Sequence, residues 1–167
     1  MSRFHRFRED NRPFFVTTST LRRQRIFTDT RNAELMMSVL YYARQNYSFR
    51  LLSFVIMPDH LHAIIVPAPR NDISQVMRYI KGRHARLHNQ AHNKSGAVWQ
   101  DSFHDHGIRD DGSLWQLVRY IEENPVVDGL TSNAAEYRFS SANALHPTDL
   151  AAYLGQGESL THDWRVA

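Results

Sequence analysis

Two apolar runs separated by two residues constrain this chain most. Phe49–Met57 (FRLLSFVIM) and His60–Val66 (HLHAIIV) flank Pro58–Asp59. Both runs carry the β-branched and aromatic side chains that suit a pleated, half-buried surface, and Pro-Asp is turn chemistry. They read as two strands joined by a tight turn. Upstream, FFVTTST over 14–20 reads as a first strand. Between it and the hairpin, Thr28–Asp29 can cap a helix whose apolar positions Leu35, Met36, Val39, Leu40 and Ala43 recur at helical spacing. Pro67, Pro69 and Asn71–Asp72 end the third strand and open a second helix over about 73–90. A loop is expected at 91–100, then a fourth strand over Ser102–Arg109. Asp110–Ser113 is a turn and cap for a third helix from Leu114 to about Asn124. Past Leu130 the pattern weakens to a mixed polar segment with one short helix at 149–154.

The order is β-α-β-β-α-β-α. Its first six elements are the split-βαβ pattern of an α+β, ferredoxin-like fold. Such a fold has an antiparallel sheet with two helices on one face. The other face is free for a site or for the third helix, and the fold alone carries no function.

The third strand poses the functional question, because His60 and His62 sit on an otherwise apolar run. Residues i and i+2 of a strand share a face, about 6.6 Å apart at ~3.3 Å rise per residue. The two imidazoles therefore stand side by side while Leu61 points into the opposite packing. They can converge on one divalent cation, or each can be hydrogen-bonded separately at a sheet surface. His104-Asp105-His106 repeats the spacing around a charged middle residue, which makes it a poorer metal claw, although one of its rings could lie near the site. His84, His88 and His92 are spaced for one helical face in a basic segment and read as a solvated stripe.

A cation needs a third ligand, and bond-breaking chemistry needs a nucleophile. In LWQLVRYIEENPVVDGL, residues 114–130, Tyr120 and Asn124 lie one helical turn apart on one face. An amide oxygen with two imidazoles and no thiolate suits Mg²⁺ or Mn²⁺. Competing roles are a core position for Tyr120 beside Leu117 and Ile121, and an N-cap for Asn124 ahead of Pro125, which also tends to end the preceding helix there.

Charge narrows the partner. The net charge is +3, but residues 1–31 hold eight arginines against three carboxylates, and residues 73–94 hold five Lys and Arg with no acid. Residues 131–167 are acidic. Two basic blocks suggest a polyanion surface, and an arginine-rich solvated face is the alternative. There is no cysteine, which excludes disulfides and thiolate metal sites and fits the cytoplasm. MSRFHRFREDNRPFF is basic without an apolar core, so no secretory signal is visible, and no apolar run approaches the ~20 residues of a bilayer span.

MPDHLH followed by YIEENPV, with FFVTTSTLRRQRIF, WQDSFHDHGIR and YRFSSA in order around them, resembles the single-tyrosine HUH transposases of the IS200-like group, and most of all their REP-associated branch. The resemblance covers about residues 10–145. Asp59 stands where that family often has Asn. The resemblance implies His60, His62 and Asn124 as metal ligands and Tyr120 as the nucleophile that forms a 5′-phosphotyrosine. It implies a catalytic domain over 1–147 with a tail over 148–167, and single-stranded DNA bearing a hairpin of the repetitive extragenic palindrome type as substrate. Arg22, Arg23, Arg25, Arg78, Lys81, Arg83 and Arg86 are expected on DNA phosphates, with the protein a monomer or homodimer and no membrane partner. The rival readings are a non-catalytic ferredoxin-like nucleic-acid-binding module or domesticated repressor, and an HUH replication initiator or relaxase. The last is disfavoured by length and by the lack of a YxxxY pair.

Overall fold

The computed structural model describes residues 9–155. Arg3, Arg6 and Arg8 of the first basic block, and residues 156–167 of the expected tail, lie outside the described residues. Four strands, β1 (Phe14–Ser19), β2 (Phe49–Met57), β3 (His60–Pro67) and β4 (His104–Gly107), form one sheet in the order β2-β3-β1-β4. Every pairing is antiparallel. Helices α1 (Thr30–Asn46) and α2 (Ile73–His92) cover one face, and α3 (Asp111–Val127) with the short α4 (Leu150–Leu154) covers the other. The expected α+β ferredoxin-like architecture is what the chain adopts, and the third helix takes the free face.

Strand alternation divides the core in two. Leu61, Ala63 and Ile65 of β3 pack with Met36, Leu40, Met77 and Ile80 of α1 and α2. Ile64 and Val66 face Leu114, Val118 and Ile121 of α3. In β2 the side assignment shifts by one residue at a bulge between Leu51 and Ser53, so Leu51 and Phe54 share a face while Leu52 and Val55 share the other. Apolar residues therefore line both sides of the hairpin, which is why its sequence reads as a continuous run.

Side-chain caps set the helix starts. Asp29 accepts from the Arg31 N–H, Asp72 and Gln75 make a reciprocal capping box, and Asp110 accepts from the Ser113 N–H. Two boundaries differ from expectation. β4 is confined to His104–Gly107, which pair with Phe14–Thr17 of β1; beyond Thr17 the loop takes that edge, with Ser19 O accepting from the Gln100 N–H (3.0 Å). Helix α3 starts at Asp111 and continues through Pro125 to Val127. A proline this close to a helix end forfeits a single intrahelical bond, and the ring is buried. Asn124 is consequently inside the helix and caps nothing.

The chain after α3 returns along β2. Phe139 O accepts from the Ile56 N–H (2.8 Å), Phe54 O from the Ser141 N–H (2.9 Å), and Leu51 O from the Asp149 N–H (2.8 Å). The Asp149 carboxylate also holds the Arg44 guanidinium (2.8 and 2.5 Å) and the Leu51 N–H (2.9 Å). An otherwise open sheet edge is thereby covered.

Candidate active site

The antiparallel register places Ser19 opposite His60 and Thr17 opposite both His62 and His104, with Phe15 opposite His106. Directly paired residues share a face, so all these side chains stand on the α3 side of the sheet. The His60 and His62 ring centroids are 4.7 Å apart, and the Tyr120 ring meets His62 edge-on at 5.5 Å. Phe15 packs beside them, 5.5 Å from His62, 6.0 Å from Tyr120 and 5.3 Å from His106. The histidine pair from mid-chain and the tyrosine from α3 therefore meet in space. Tyr120 is 50% exposed, which opens its hydroxyl to a large substrate and removes it from the core.

Both imidazoles are held at Nδ1. His60 Nδ1 lies 2.6 Å from Asp59 Oδ1, and His62 Nδ1 lies 2.7 Å from Thr17 Oγ1. Burial, with His60 and Arg23 adding, pushes His62 down to about 4, so the ring is neutral at physiological pH. A neutral imidazole bonded through Nδ1–H offers its Nε2 lone pair to a cation, the arrangement found around metal-bound histidines. Among the described residues no three His, Cys, Asp or Glu side chains surround a metal position. A third protein ligand would therefore be another oxygen, and Asn124 is half-buried one turn beyond Tyr120. Among the described residues its carboxamide has no hydrogen-bond partner. This donor set fits a hard divalent cation.

The two basic blocks part company. Arg22, Arg23 and Arg25 are exposed in the turns after β1, at the His60 end of the sheet. Arg78, Lys81, Arg83 and Arg86 belong to α2, on the opposite face. Arg78 and Arg86 are exposed. Lys81 donates to the carbonyls of Gln100 (2.6 Å), Asp101 (3.2 Å) and Ser102 (3.1 Å), which uses its three donors. Arg83 stacks over Tyr42 at 3.6 Å. The histidine stripe of α2 is also not the solvated face its sequence suggests. His84 is fully buried and accepts from Trp99 Nε1–H (3.1 Å), and His88 is buried against it. A ring accepting at Nδ1 carries its proton on Nε2, so His84 presents no lone pair to a metal.

Sequence reading missed Thr17, Asp59 and Phe15 as parts of this site. Thr17 and Phe15 become visible only with the β1–β3 register, whereas Asp59 is adjacent to His60 and could have been suspected.

A histidine–hydrophobe–histidine pair on the β3 strand of a ferredoxin-like sheet, faced by one tyrosine from a packed helix, defines the single-tyrosine HUH class. The family model described as "Transposase IS200 like" matches residues 14–124, and the chain belongs to that family. A REP-associated tyrosine transposase of Escherichia coli K12 is 26% identical over 157 residues, covering 90% of this chain and 92% of that protein. A Haemophilus influenzae relative, provisionally given the same name, is 31% identical over 109 residues. That match covers 58% of this chain and 61% of the relative's length. A solved REP-associated tyrosine transposase bound to a REP hairpin superposes with TM-score 0.67 and 25% identity, covering 88% of this chain and 89% of that one. No helix among the described residues is long and apolar enough to cross a membrane.

Proposed function

We propose that this protein is a metal-dependent single-stranded DNA endonuclease and strand transferase acting on DNA with a REP-like hairpin, as a monomer or homodimer. The observation that carries this reading is the Tyr120 ring 5.5 Å from His62, beside a pair of imidazoles each secured at Nδ1. His60, His62 and Asn124 would hold Mg²⁺ or Mn²⁺, which when bound supplies positive charge to the oxygens of the scissile phosphate.

The chain's own residues supply the rest. The Tyr120 hydroxyl oxygen attacks phosphorus and gives up its proton. The bond from phosphorus to the 3′ oxygen breaks, that oxygen leaves as a hydroxyl, and the 5′ side stays on the tyrosine as a phosphodiester. The phosphoester energy is retained, so a 3′ hydroxyl can reverse the step and join strands without ATP. Thr17 and Asp59 keep the rings from rotating out of reach. Arg22 and Arg25 border the site and would hold flanking phosphates beside Arg23, which Asp59 and Ser19 engage, while Arg78 and Arg86 on the far helix layer would meet DNA beyond the reacting strand. Lys81 and Arg83 are left with structural roles. The catalytic unit spans residues 1–147, with α4 of the following segment packed on the α3 face of the sheet.

The test is incubation with hairpin-bearing oligonucleotides in Mg²⁺ or in EDTA, followed by a denaturing gel. Wild type should give a covalent adduct only with the cation. Tyr120→Phe should bind the hairpin and give none. Cleavage by Tyr120→Phe would remove this residue from its role. A hairpin-binding protein indifferent to divalent ions, with dispensable histidines, would favour the non-catalytic alternative.

A further inference from the structure

We infer that Asp59 is a positioning residue that holds His60 in the tautomer able to ligate a cation, and that Arg23 in turn holds Asp59. This rests on the reading of His60 as a ligand. A carboxylate only accepts, so the 2.6 Å contact from Asp59 Oδ1 requires a proton on Nδ1 and leaves Nε2 as the nitrogen that can give a lone pair to a cation. His62 is different. Its partner, the Thr17 hydroxyl, can donate or accept, so that contact orients the ring without choosing its tautomer. The site thus has one histidine whose tautomer is dictated and one whose tautomer is free to follow.

The second oxygen of Asp59 is occupied by Arg23, whose Nε lies 3.2 Å from Oδ2. Arg23 Nη1–H also donates to Ser19 Oγ (2.8 Å), and Ser19 is the register partner of His60. The backbone closes the same loop, because the Asp59 carbonyl accepts from the Thr20 N–H at 2.9 Å. The Asp59 and His60 side chains are 19% and 12% exposed, so water competes weakly for their bond. Reaching this position bends the chain through two successive left-handed residues, Arg22 (φ 54°) and Arg23 (φ 56°). A side chain larger than glycine is strained in that region. Such strain persists where surrounding contacts over-determine it, and the Arg23–Asp59–His60 chain joins the backbone bonds of Leu21, Arg23 and Gln24 among those contacts.

Two readouts test the proposal without DNA cleavage. In metal-free, ¹⁵N-histidine-labelled protein, long-range ¹H–¹⁵N spectra report which His60 nitrogen is protonated. Calorimetric titration reports Mn²⁺ affinity. Wild type should show Nδ1–H. Asp59→Ala should shift His60 toward Nε2–H and weaken Mn²⁺ binding by about 10–100-fold, as loss of such an outer contact does elsewhere. Asp59→Asn keeps an accepting oxygen and should retain Nδ1–H, with affinity within about threefold of wild type by the same reasoning. Arg23→Gly relieves the backbone and deletes the guanidinium, and should partly release the tautomer. If Asp59→Ala fails to fold, Asp59→Asn and Arg23→Gly, which keep the backbone contacts, carry the test. A wild-type ring in the Nε2–H form, an unchanged tautomer in Asp59→Ala, or one unchanged in Arg23→Gly would overturn it. Failure of Tyr120 to form a DNA adduct would defeat the proposed function while leaving these spectra unaffected.

Discussion

Thr17→Val isolates a single contact of the site. It exchanges a hydroxyl for a methyl at nearly constant volume and keeps a β-branched residue in β1, so strand propensity and packing change little. What is lost is the 2.7 Å bond to His62 Nδ1. The His62 residue is 6% exposed, so water can barely replace the hydroxyl. An unpaired buried polar atom costs about 1–3 kcal/mol. In a chain of this size each kcal/mol lowers Tm by about 2–4 °C. The ring also loses what orients it as a ligand, which for metal-bound histidines weakens binding by about 10–100-fold. Thermal unfolding in EDTA reads the first effect and calorimetric Mn²⁺ titration the second. Thr17→Ser keeps the hydroxyl and should stay close to wild type in both. Undiminished Mn²⁺ affinity in Thr17→Val, with Tm unchanged, would show that the His62 ring is not held for ligation by this bond.

Asn124→Ala should leave Tm within about 1 °C, because Asn124 sits inside α3 and alanine is the better helix former, while Mn²⁺ affinity and adduct formation fall at least tenfold. Had Asn124 served as a cap, unfolding would report the loss instead. Lys81→Met should lower stability by no more than about 1 kcal/mol in urea titrations, because the three carbonyls it leaves belong to exposed residues that water can reach, with hairpin affinity nearly unchanged. Arg22→Ala should do the reverse, weakening hairpin binding and reducing the slope of log affinity against log salt by about one. Burial pushes His84 down to about 3, against about 6.5 in the unfolded chain, so between those values the unfolded state binds the extra proton. Stability should therefore be flat above pH 6.5 and fall as pH drops below it. His62, pushed down to about 4, adds in the same direction, and His84→Phe should flatten the slope measured by urea denaturation.

Local chemistry explains what could be read in advance. The hairpin around Pro58–Asp59, the aspartate caps at 29, 72 and 110, and the shared face of His60 and His62 follow from short-range spacing, and all are found. The continuation of α3 through Pro125 was hidden because proline's penalty depends on where in a helix it falls, and the packing of Ile121 on the sheet with the burial of Pro125 outweighs it there. His84 and His88 looked like a polar stripe because their neighbours in sequence are basic, yet Trp99 closes over His84, and His88 is buried against it. Lys81 and Arg83 illustrate the same limit: charge in a sequence does not reveal whether a carbonyl or a ring of the same chain already engages it. Thr17 and Arg23 join the site through pairing between β1 and the β3 hairpin, a long-range register that no local pattern encodes.

The central claim is that Tyr120, among seven tyrosines, is the group that takes the DNA strand. The most direct measurement is to trap the reaction with a hairpin oligonucleotide and Mn²⁺, digest protein and DNA, and map the nucleotide-bearing peptide by mass spectrometry. The modification should fall on Tyr120 alone, with a 5′ phosphate linked to the phenol oxygen and a free 3′ hydroxyl on the released fragment. A nucleotide mapped to another residue, or cleavage that leaves both ends unattached to protein, would contradict the account.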